Sequence, residues 1–74
     1  MEDRVYSVCY YIRKKQWKMS HRKTTSLSLY KVEPKNLIGW NSCYVSRVKA
    51  VDPVVAFQIG AKLIIYEMKK AGIA

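Results

Sequence analysis

The stretch "DPVVAFQIGAKLIIYEMKKAG", residues 52–72, constrains the fold most. Asp52 is a good N-cap, Pro53 suits the first helical position, Lys69 and Lys70 bring cations to a last turn, and Gly72 stands just beyond. This predicts a helix. At about 100° per residue, Val54, Ala56, Phe57, Gly60, Ala61, Leu63, Ile64 and Met68 fall on one arc, opposite Gln58, Lys62 and Lys69. A helix apolar on one side needs a second layer to cover it, and the small pair Ala56 and Gly60, one turn apart, lets that layer come close.

The second layer comes from the preceding residues. "RVYSVCYYIR", 4–13, alternates so that Tyr6, Val8, Tyr10 and Ile12 share one face while Ser7, Cys9, Tyr11 and Arg13 share the other. The first set is the expected core face of a strand. "TTSLSLYKV", 24–32, reads as a second strand, ended by Pro34 because proline cannot donate to a ladder. "EPKNLIG" reads as a loop up to Gly39, and "WNSCYVSRVKAV", 40–51, as a third strand. One register of that strand buries Trp40, Tyr44 and Val48; the other buries Cys43, Val45 and Val51. The first is preferred, since it leaves Arg47 and Lys49 in water.

The expectation is therefore one small α+β domain over residues 1–74: a three-stranded antiparallel sheet, arranged as a meander, with one C-terminal helix packed on one face, β-β-β-α. The uncovered face is expected to carry Tyr11, Arg13, Tyr30, Arg47 and Lys49 and to meet solvent or a partner.

Charge points to what that partner is. Fourteen Lys and Arg stand against five Asp and Glu, a formal net charge of +9. Such an excess repels itself in a compact state and is relieved by an anion, of which nucleic acid is the commonest for a small basic domain. The segment "RKKQWKMSHRK", 13–23, concentrates it, with Arg13, Lys14, Lys15, Lys18, Arg22 and Lys23 around Trp17. Read as the tip between the first two strands, it projects six cations from one end of the sheet. Phosphate contacts of that kind give affinity without sequence information, while Arg13, Arg47 and Lys49 are placed to reach base edges. Tyr11, Trp17 and Tyr30 are candidates to stack on bases, although Trp17 has the alternative of folding back onto the core.

Catalysis finds little support. The five carboxylates are Glu2, Asp3, Glu33, Asp52 and Glu67, and no two are spaced as a general acid and base. His21 sits among cations with no carboxylate near it in sequence. Two isolated cysteines, Cys9 and Cys43, and one histidine do not make a zinc knuckle, so no metal or cofactor is expected. The start "MEDRVYSV" lacks the basic and apolar regions of a signal peptide, and "LIIY", 63–66, is far short of the roughly 20 residues that span a bilayer. A cytoplasmic protein with reduced thiols, not bound to membranes, is expected.

The inferred order of strands and helix is similar in topology to the arm-type DNA-binding domains of tyrosine integrases and to plant ethylene-response-factor domains. The resemblance implies an open sheet face inserted into a major groove; it is one of architecture and carries over no site residue. The leading expectation is a non-enzymatic nucleic-acid-binding module, with DNA favoured over RNA. The alternative is a compact protein, of the size and charge typical of phage or mobile-element accessory proteins, that binds and blocks an acidic host protein. Val55, Ile59 and Tyr66, beside Lys62 on the outer helix edge, would form that contact or a homodimer.

Overall fold

The computed structural model describes residues 3–22, 28–36 and 38–73. Five elements follow in order: β1 (Arg4–Tyr11), β2 (Gln16–Arg22), β3 (Val32–Lys35), β4 (Cys43–Ala50) and α1 (Pro53–Lys70). The four strands form one antiparallel sheet in the order β2-β1-β4-β3, with α1 against one face. The α+β architecture with a C-terminal helix is as expected. The sheet differs in having four strands instead of three, and in its order.

It is not a meander but two hairpins side by side, joined where β1 meets β4. The apolar-rich strands "RVYSVCYY" and "CYVSRVKA" take the centre, and the polar "QWKMSHR" and "VEPK" take the edges. A central strand has neighbours along both edges, whereas an edge strand keeps water on one flank.

The basic segment is therefore itself a strand. Trp17, Met19 and His21 alternate with Gln16, Lys18 and Ser20, a period of two obscured by charge. The turn before it spans residues 12–15, with Lys15 in the left-handed region at φ 54°. Of the expected second strand, residues 24–27 lie outside the described residues. Ser28–Lys31 form no strand beyond a single bridge of Leu29 to Arg47, and pairing resumes only at Val32. Pro34 does not end a strand but sits inside β3, opposite Tyr44, which an edge position tolerates because a missing donor there costs no ladder bond.

Tyr6, Val8 and Tyr10 face the helix as expected, opposite Val48, Ser46 and Tyr44. The choice between two registers for residues 40–51 dissolves, because β4 is central. Tyr44 and Val48 are buried toward the helix, and Cys43 and Val45 are buried on the opposite face as well. Two expected core residues are outside: Trp40 lies in the β3–β4 loop at 64% exposure, and Val54 is exposed on the first turn of α1.

The helix obeys its sequence. Asp52 accepts a hydrogen bond from the Val55 N–H at 2.9 Å, and Pro53 opens the first turn. At the other end the Ile73 N–H reaches the Met68 carbonyl and the Gly72 N–H the Lys69 carbonyl, with Gly72 at φ 74°. This paired closure is what a glycine after the last turn allows. Ala56, Gly60, Ala61, Ile64 and Met68 form the buried stripe. A Cβ added at Gly60 would lie 2.5 Å from the Val8 Cγ2, so the helix backbone rests directly on β1. Val8 and Ile64, both fully buried in one cluster with Tyr44 and Met68, each contribute about 1.5–3 kcal/mol by leaving water.

Candidate nucleic-acid interface

The residues of interest lie on the face opposite α1 and at the end of the sheet where both hairpins turn. On that face the register sets Gln16, Tyr11, Cys43 and Lys35 in one row, and Lys18, Cys9, Val45 and Glu33 in the next. Ser20, Ser7 and Arg47 follow, then Val5 and Lys49. Lys18, Lys35 and Lys49 are exposed. Lys35 belongs to this surface and was hidden from sequence reasoning by the assignment of residues 33–39 to a loop.

Tyr11 is the centre of the cationic part. The Lys14 and Lys18 ammonium groups stand 5.5 and 5.4 Å from its ring centroid, one from the turn and one from β2. The turn curls Lys14 back along β1 while strand pairing carries Lys18 past it, so two residues distant in pattern converge on one ring. Partial burial, with Cys9 and Cys43 adding, pushes the Tyr11 phenol up. It remains a neutral donor at pH 7. Arg13 and Lys15 are exposed beside it. The two ion pairs among the described residues, Arg47 with Glu33 and Lys70 with Glu67, lie elsewhere.

Other expected residues are placed differently. Trp17 turns to the helix side, where its ring meets Tyr10 at 4.6 Å and Phe57 at 5.4 Å between centroids. Folding back onto the core, the alternative open to it in the sequence, is what it does. Arg47 is half-buried and held to Glu33 at 3.4 Å across β3 and β4, so it is not a free cation. Arg22 is the last residue of β2, and Lys23 lies outside the described residues.

Tyr30 sits on the flank of β4 in the left-handed region, φ 63°, which a bulky side chain adopts only when its surroundings hold it there. Its N–H donates to the Arg47 carbonyl at 2.7 Å and its hydroxyl to the Lys49 carbonyl at 3.2 Å. Half of its surface remains open, beside Lys49.

The aromatic that sequence reasoning missed is Trp40. Tyr11 pairs with Cys43, so the turn at 12–15 and the loop residues 38–42 occupy the same end of the sheet, and the Ile12 N–H donates to the Ser42 carbonyl at 3.0 Å to tie them together. Trp40 is thus exposed at the same end as Arg13, Lys14 and Lys15, with Ile38 almost fully exposed two residues before it. The signal was present in "NLIGWN", since Gly39 breaks the strand pattern ahead of Trp40 and takes φ 132° here.

On the same face, burial first and then Cys43 push the Cys9 thiol up from 9.0, against the pull of Lys35 and Arg47. Both cysteines are free thiols. Among the described residues no group of three His, Cys, Asp or Glu could hold a metal ion, and no helix is long and apolar enough to cross a membrane. Compared with known protein families, curated proteins and solved structures, the chain matches none.

Proposed function

We propose that this protein is a non-enzymatic nucleic-acid-binding module, whose contact surface is the hairpin end of the sheet together with the face opposite α1. The observation that carries the reading is the convergence of Lys14 and Lys18 on Tyr11, flanked by exposed Arg13 and Lys15, at the end that also exposes Trp40. Cations at that density attract a phosphate backbone, and aromatic faces among them stack on bases. DNA is favoured over RNA because an open antiparallel face fits the wide major groove of B-form DNA and not the narrow one of A-form RNA, with Lys35 and Lys49 extending the phosphate contacts across the face. Arg47, engaged with Glu33, serves the sheet more than base recognition.

The test is a mobility shift with short single-stranded and duplex probes across a salt series. Affinity is expected to fall steeply between about 50 and 200 mM salt, and absence of any shift at about 50 mM would sink the proposal.

A second reading, a blocker of an acidic host protein, draws on the outer face of α1. Val55 and Tyr66 are exposed there beside Lys62, while Ile59 packs inward against Tyr6 and Val48 and offers little. The nuclease sensitivity of partners captured from the native host separates the two.

A further inference from the structure

The outer edge of β2 is a seven-residue strand without proline, and no other strand pairs with it among the described residues. In an antiparallel edge strand every second residue points its N–H and C=O away from the sheet, which makes a template for another extended chain. Lys18, Met19, Ser20 and His21 are all exposed along it.

Beside that edge, on the helix side, runs an open trough of about 490 Å³ lined by Met19, Pro53, Val54, Phe57 and Gln58. Four of those five are apolar. The trough exists because α1 lies mainly over β1 and β4, touching β2 chiefly where Phe57 meets Trp17. A strand added to β2 would alternate its side chains between this trough and the opposite face, where Lys18 stands with Lys14.

We propose that β2 is a docking edge for an extended peptide whose residues alternate between apolar and acidic. The apolar ones enter the trough against Met19, Val54 and Phe57, and the Asp or Glu residues lie along Lys18. Main-chain hydrogen bonds hold such a peptide and the side-chain alternation selects it. Charge decides against a second copy of the chain: pairing β2 with β2 would bring together two +9 molecules whose paired strands each carry Lys18 and Arg22 and no acid. The inference does not require nucleic-acid binding: it shares Lys18 with the Tyr11 surface, but its main-chain edge and helix-side trough lie outside that surface, and Val54→Asp tests them without touching it.

The test uses the full chain and a blocked seven-residue peptide with Glu at odd positions and Val, Phe and Val at even ones. Amide exchange followed by NMR is expected to slow at least tenfold at alternate residues of Gln16–Arg22 when the peptide saturates. Lys18→Glu and Val54→Asp, both at exposed positions, are each expected to weaken binding at least tenfold while the fold persists. Four results would overturn the proposal: unchanged β2 exchange at millimolar peptide, equal binding of the peptide with Lys in place of Glu, protection of the same amides by a duplex DNA probe alone, or protection that rises with protein concentration without peptide.

Discussion

The Ile12 N–H donates to the Ser42 carbonyl at 3.0 Å, and through that one bond the turn of the first hairpin is fastened to the loop of the second. An exchange between two tryptophans accompanies it. Trp17, inside the most basic stretch, packs beneath the sheet against Tyr10 and Phe57, and Trp40, which looked like core, stands outside next to the cations.

That exchange makes opposite predictions for two alanine variants. Trp17→Ala removes a half-buried ring from a three-aromatic cluster and is expected to cost about 2–4 kcal/mol of stability, read from urea denaturation. Trp40→Ala should leave stability within about 0.5 kcal/mol and weaken nucleic-acid binding by about 1–3 kcal/mol. The reverse pattern would return the site to Trp17.

Replacing Lys14 and Lys18 together with Gln tests the cations about Tyr11. If each meets a phosphate, the magnitude of the slope of log K against log salt should drop by about 2, with similar loss on every probe sequence. An unchanged slope would place the phosphates elsewhere.

Gly60→Ala is expected to destabilise the protein by about 1–3 kcal/mol, although alanine is the better helix former. The added methyl would sit 2.5 Å from Val8 Cγ2 and 2.7 Å from Val8 Cβ, a fully buried β-branched side chain restricted at χ1. A rise in the thermal midpoint would show that helix and sheet are farther apart than described.

Ser46 lies fully buried on the helix side of β4, and its hydroxyl has no hydrogen-bond partner. Ser46→Ala should stabilise the fold by about 1 kcal/mol, because it removes a desolvated polar group and leaves almost no cavity. A loss of stability would mean that the hydroxyl is satisfied.

The Cys9 thiol supplies a pH dependence. Its pKa is raised in the folded protein, so the folded state holds the proton more tightly than the unfolded chain does. The contribution is complete below the ordinary value of 9.0 and is lost as pH rises through the elevated one. Denaturation midpoints at about pH 8 and about pH 10 should therefore differ more in the parent than in Cys9→Ala. Equal differences would remove Cys9 as the cause.

What could be read from the sequence follows from where each signal is local. The helix was legible from Asp52 to Gly72 because capping, proline placement and periodicity all act within one segment. The core face of β1 was legible for the same reason. β2 was not, since an edge strand has only one flank to bury, and Lys18 and Arg22 within it, following Arg13, Lys14 and Lys15, read as a charged tip. Nor was the facing of β4, where alternation vanishes once Val45 and Val48 are both covered. The cationic part of the site was visible as composition; its assembly on Tyr11 depended on the register between Cys9 and Lys18, which no local pattern encodes.

The pairing of β1 with β4 also sets an order of events during synthesis. The residues of the first hairpin are all made once Arg22 has emerged, and Trp17 and His21 can then meet Tyr10 and Tyr6, but the rest of the core face, Val8 above all, is covered only when β4 and α1 follow. At ordinary ribosomal speeds that interval is about 2–10 s, far longer than the microseconds a hairpin needs to form. A two-stranded hairpin alone is marginal in water, so the first hairpin gains its stability only when β4 and α1 cover it, and the fold is reached late, after most of the chain has been made.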